Sequence, residues 1–128
     1  MNKNLSITAL LGITAIVLGA FATHSLKESL TTDMMNSLET AIRYQMYHVI
    51  VLLFVNTYKE FSKAFKNNVS MLFFIGILFF SGSIYAIHLL GVSAKSIWFV
   101  TPLGGLLFII GWLMLFIHFT RKVINNKK

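Results

Sequence analysis

Residues 69–90 read VSMLFFIGILFFSGSIYAIHLL. This stretch carries no acid, lysine or arginine. As a helix rising about 1.5 Å per residue it is about 33 Å long, enough for a hydrocarbon core of about 30 Å. It therefore reads as a membrane span. The rest of the chain is read outward from it.

Two more runs qualify by length and apolarity, about 5–22 and about 97–119. A fourth, Tyr44 to Tyr58, is short in apolar terms and contains His48 and Asn56. Read back to Asp33 it becomes one long helix, because Met34, Leu38, Ile42, Met46 and Ile50 recur every four residues. Thr31, Thr32 and Asp33 are suitable N-cap types. The expected span is 40–58. The expected architecture is all-α, an integral membrane bundle of four transmembrane helices. It forms a single transmembrane domain over 1–128. An amphipathic outer connection, striped by Leu26, Leu30 and Met34, joins helices 1 and 2.

Composition agrees. Hydrophobic residues make up 56% and charged residues 12%, against about 25% charged in soluble domains. Mean hydropathy is +0.75. With no cysteine, disulfide scaffolds and thiolate metal sites are excluded. The net charge of +7 would suggest nucleic acid in a soluble domain. Here the basic residues sit at span ends instead, so no nucleic-acid partner is expected.

Charge asymmetry sets the orientation. Lys3, Lys59, Lys63, Lys66, Arg121, Lys122, Lys127 and Lys128 fall on one side of a four-span plan. Lys27, Arg43 and Lys95 fall on the other. Positive residues stay inside, so both termini are expected in the cytoplasm. Lys3, an apolar run and Ala20-Phe21-Ala22 mimic a secretory signal. The run exceeds the usual length of about 7 to 15 residues, so it is read as a retained span.

Close helix contact in lipid needs small residues. Gly12 and Gly19 are seven apart on the first span, and Gly104 and Gly111 on the fourth. Gly76 and Gly82 lie on the third, and Gly105 follows Gly104. These positions suit either packing within the bundle or a subunit interface. Thr101 is the expected N-cap of the fourth helix, with Pro102 in its first turn. Trp98, Tyr44 and Tyr58 sit near span ends, as interfacial anchors do. Trp112 lies deeper and is expected to pack inside the bundle.

Polar groups at membrane depth are costly and carry whatever function exists. Under the expected topology His24, Glu39, Arg43, Gln45, His48, Ser81 and Tyr85 lie toward the outer side. Glu39 and Arg43 have the favourable i, i+4 order. His24, Arg43, Gln45 and His48 are expected to converge. Two readings stand: an outward-facing polar pocket, or interhelical hydrogen bonds that fix the bundle. Histidine spacing is too weak to name a metal, and HExxH is absent. No metal, cofactor or catalytic residue is expected.

Four motifs add a resemblance. They are Gly19-Ala20-Phe21-x-x-His24, Thr40-Ala41-x-x-Tyr44-Gln45-x-x-His48, Gly76-x-x-x-Phe80-Ser81-Gly82-Ser83-x-Tyr85, and Thr101-Pro102-x-Gly104-Gly105 with Gly111-Trp112. In this order they resemble the YgdD/YwdK-like family of small bacterial four-span membrane proteins. The resemblance implies a multi-pass cell-membrane protein and no assigned activity. The family's first motif reads GAFGAH followed by glycine, where this chain has Ala22, Thr23 and Ser25.

The expected role is structural or accessory, binding membrane lipid, a second copy or other membrane proteins. The alternative is a small transporter or channel, but the first span has no ionisable residue before His24. A membrane enzyme using Ser81, His48 and Glu39 lacks a nucleophile motif. Topology is directly testable. Reporters at both termini and after Lys66 should read cytoplasm, and one after Ser93 should read outside. An external signal after Lys66 contradicts the four-span plan.

Overall fold

The computed structural model describes residues 2–127. Four helices follow one another: α1 (Asn2–His24), α2 (Thr32–Thr57), α3 (Lys63–Leu89) and α4 (Val100–Asn126). The helices do not stop where apolarity stops, because backbone hydrogen bonds and caps set their ends. Thr31 caps α2 by accepting from the Met34 amide at 3.3 Å. Ser62 caps α3 by accepting from the Phe65 amide at 3.2 Å. Both caps satisfy amides that the first helical turn leaves unpaired.

At α4 the expectation for Thr101 is corrected. The N-cap is Phe99, which makes no side-chain cap bond. Thr101 lies inside the first turn, and its hydroxyl bonds Ser83 on α3. Pro102 still falls among the amides that need no helical partner.

Three helices are long and apolar enough to cross a membrane: α1 over Lys3–His24, α3 and α4. Helix α2 is not in that set, because it carries Asp33, Glu39, Arg43, Gln45, His48 and Asn56. The connection between α1 and α2 is a short run of turns, with Leu26 and Leu30 half-buried, and Met34 already belongs to α2.

Helices pack in chain order, α1 on α2, α2 on α3 and α3 on α4. Contacts mark the antiparallel register. Gly12 of α1 faces Val49 of α2, and Gly19 faces Ile42. Ser70 of α3 meets Asn56 of α2, and Ser81 meets Ala41. The main core, Leu52, Val55, Phe61, Val69, Phe73, Ile77, Phe108 and Leu115, fills the space between α2, α3 and α4. Large apolar side chains such as Ile13, Ile16, Leu113 and Phe116 point outward, as suits helices surrounded by lipid.

The tightest seam joins α3 to α4. A Cβ on Gly104 would lie 2.9 Å from the Gly76 carbonyl oxygen and against the Phe80 amide nitrogen. Two backbones touch there, and only glycine permits it. Gly76 and Gly111 serve the same seam by seating the rings of Phe108 and Phe73. Gly105 has space, its nearest neighbour being the Phe80 ring at 3.9 Å. Gly82 is met only by its own helix, near Leu78.

Neighbouring glycines should therefore respond differently. Gly104→Ala should destabilise by about 1–3 kcal/mol through forced overpacking. Gly105→Ala should be tolerated. Thermal unfolding in detergent separates the two, and equal behaviour would show that the seam is not as tight as described.

Candidate functional site

The buried polar groups cluster where α2 meets its neighbours. Gln45 is buried on α2. Its Nε2 donates to the Leu11 carbonyl oxygen at 2.8 Å and to Thr14 Oγ1 at 2.9 Å, both on α1. Its Oε1 accepts from the Tyr85 hydroxyl of α3 at 2.8 Å. One amide thus ties three helices together. One turn away, Ser81 Oγ donates to the Ala41 carbonyl oxygen at 2.7 Å.

His48 occupies the next turn of α2 but looks toward α4. Its ring stacks on Phe108, with centroids 3.7 Å apart and planes 10° apart. Phe73 meets it edge-on. Trp112 Nε1 donates to His48 Nε2 at 3.1 Å. That nitrogen is then the acceptor, so Nδ1 carries the proton and donates to the Tyr44 carbonyl oxygen at 2.7 Å. Both ring nitrogens are engaged, which leaves neither lone pair for a metal ion.

The expected convergence of four outer residues does not occur. Gln45 and His48 are buried, whereas His24, Glu39 and Arg43 are exposed. Among the described residues, Arg43 makes no side-chain hydrogen bond or ion pair, so Glu39 does not hold it. The reason is helical phase. Residues 41, 45, 48, 49, 52 and 56 form the inward stripe of α2, and positions 39 and 43 fall outside it. Ser81 and Tyr85 share in the Gln45 region, through Ala41 and Gln45 respectively. Ser81, His48 and Glu39 do not form a catalytic set, because Ser81 is committed to a carbonyl and Glu39 is outside.

Several participants were not anticipated. Thr14 looked like one more residue of an apolar span. Trp112 was expected to pack inside, yet its ring is about half exposed and only its N–H turns inward. The signal for it was chemical, since a deep indole N–H needs an acceptor. A second polar layer lies at the other end of the bundle. Asn4 Nδ2 donates to Asn56 Oδ1 at 3.0 Å and to Asn67 Oδ1 at 3.1 Å. Asn56 Nδ2 donates to Ser70 Oγ at 2.8 Å. Lys66 Nζ reaches the Asn56 carbonyl oxygen at 3.3 Å.

Among the described residues, no buried side-chain nitrogen or oxygen lacks a hydrogen-bond partner, and no group of three or more His, Cys, Asp or Glu could hold a metal ion.

Comparison with known proteins places this bundle. The family model described as "Protein of unknown function (DUF423)" matches residues 18–105. This chain belongs to the DUF423 family. It is similar to a UPF0382 membrane protein of Haemophilus influenzae, 40% identical over 114 residues, covering 89% of this chain and 90% of that one. It is 32% identical to the UPF0382 membrane protein YwdK of Bacillus subtilis, over 84% and 87% of the two chains. The UPF0382 inner membrane protein YgdD of Escherichia coli is 30% identical, over 93% and 92%. No solved structure matches. The sequence resemblance thus led to the right family, and the chain is a membrane protein with transmembrane helices. The DUF423 match includes Gln45, His48, Ser81 and Tyr85, whereas their partners Thr14 and Trp112 lie on either side of it.

If Gln45 is the shared tie, its loss should exceed that of any one partner. Gln45→Leu should lower stability by about 1–3 kcal/mol and Tyr85→Phe by less than about 1 kcal/mol. The double variant should cost less than the sum, because both changes remove the same bond. Strict additivity in a detergent unfolding series would argue against a shared network.

Proposed function

We propose that this DUF423 protein is a four-span, multi-pass cell-membrane protein with both termini cytoplasmic. Its role is structural or accessory, binding lipid or partner subunits within the membrane. One observation carries this reading: the buried polar side chains are used up by one another. Gln45, Thr14 and Tyr85 satisfy one set, and His48, Trp112 and the Tyr44 carbonyl another. A transport pathway needs polar groups free to exchange partners with a solute. A lock needs them saturated, as they are here.

The register supports a fourth span. Helix α2 has 26 residues, about 39 Å at 1.5 Å per residue. It lies antiparallel to α1 and α3, level with them from Asn56 beside Asn4 and Ser70 to Ala41 beside Ser81. Its polar residues at 45 and 56 face those helices and His48 faces α4, none of them lipid. The location follows the names of the relatives, one of which is called an inner membrane protein. The charge asymmetry of the loops supports the orientation. The rival reading, a small transporter or channel, would need an open polar cavity in the outer half.

Extraction of the full chain from its own membrane in polymer-bounded lipid discs tests the role. A second membrane protein or an enriched lipid at fixed stoichiometry is expected. Bulk lipid alone, together with saturable solute flux in sealed vesicles, would favour the transporter.

A further inference from the structure

The junction of α3 and α4 at the end opposite the Gln45 layer has a different character. A cleft of about 660 Å³ opens there. Its floor is Phe65, Met114 and Ile117, and its mouth includes His118, Arg121 and Asn125. Lys122 and Glu60 form an ion pair at one side, tying α4 to the α2–α3 connection. Lys122 is thereby neutralised, while Arg121 is exposed and, among the described residues, makes no ion pair or hydrogen bond.

His118 is half-buried and held in place. Its ring lies edge-on to Phe61 at 4.9 Å and tilted against Phe65 at 4.8 Å. Among the described residues its ring nitrogens have no hydrogen-bond partner. The contrast with His48, whose nitrogens are both engaged, is direct. A positioned imidazole and a free guanidinium therefore stand side by side above an apolar floor.

We propose that this cleft binds one anionic phospholipid. The phosphate sits at Arg121 and His118, and an acyl chain runs along Met114 and Ile117. This deepens the lipid-binding reading above and rests on it. Charge and position select the occupant. Arg121 presents five N–H donors in a fork that suits a phosphate. The floor belongs to α3 and α4, both apolar enough to lie in a bilayer, so the cleft sits where hydrocarbon gives way to headgroups. A free anion would leave that floor unused, and an acidic peptide would have to lie partly in lipid. Basic pockets at helix ends recognise anionic headgroups for this reason.

The test is native mass spectrometry of the full chain released from discs of equal phosphatidylglycerol and phosphatidylcholine. One phosphatidylglycerol per chain should be retained in preference. Arg121→Gln should weaken that preference by about fivefold, the contribution of one basic residue near a membrane surface. Arg121→Lys should restore part of it. Lys95→Gln, at the opposite end, should change nothing. Equal unfolding temperatures show that the variants are folded. Equal retention of both lipids, or an unchanged preference in Arg121→Gln, overturns the proposal. So does displacement of the lipid by glycerol 3-phosphate alone, which points to a free anion, or by an acidic peptide, which points to a protein partner. Loss of the lipid preference while a membrane partner still co-purifies refutes this site and spares the accessory role. Solute flux with phosphatidylglycerol still bound does the reverse.

Discussion

A polar group inside a bilayer must find its partner within the protein, because no water is there to supply one. Gln45 shows what that demand produces. Its amide can be satisfied only if α1 and α3 both come alongside α2 at a fixed height and rotation. Lipid tails are as apolar as leucine, so apolar matching alone would not bring these helices together. Each polar side chain on α2 therefore acts as an address. Gln45 and Asn56 specify α1 and α3, and His48 specifies α4 through Trp112.

Glycine and polarity divide the work between seams. Where α3 meets α4, Gly104 lets two backbones touch, and dispersion over that contact is supplemented by the Ser83–Thr101 bond. Where α1 meets α2, the glycines of α1 touch side chains rather than backbone. Gly12 and Gly19 make ordinary contact with Val49 and Ile42, and hydrogen bonds from Gln45 and Asn4 do the specifying. The two seams use the two means of association that lipid leaves available.

Much of this was legible in the sequence, and what was missed has a physical cause. Apolar runs located α1, α3 and α4, since length and hydropathy are properties of the chain itself. The resemblance in motifs around His24, Gln45, Ser81 and Gly104 led to the family. Depth alone was a poor guide to the site. Arg43 and Gln45 lie at nearly the same height, but about 200° apart around the helix axis, so one is exposed and the other buried. Arg43, exposed and only the fourth residue of the expected span 40–58, can reach the interface along its own stem, so it needs no protein partner. Thr14 as a partner of Gln45 and Trp112 as a donor to His48 were not legible, because their neighbours in sequence are apolar. Their importance comes from what approaches them in space.

The shortage of apolar residues in α2 bears on how the protein enters its membrane. An isolated helix carrying Arg43, Gln45, His48 and Asn56 partitions weakly into lipid, since each such group raises the cost of insertion. Thr14 and Asn4, already threaded with α1, offer part of the missing hydrogen bonding. Ser70 and Tyr85 arrive later with α3. In the four-span arrangement α2 is therefore unable to settle until synthesis has reached the third helix. Under that arrangement its entry would be a joint event of the first three helices, with the middle one waiting at the interface for both neighbours.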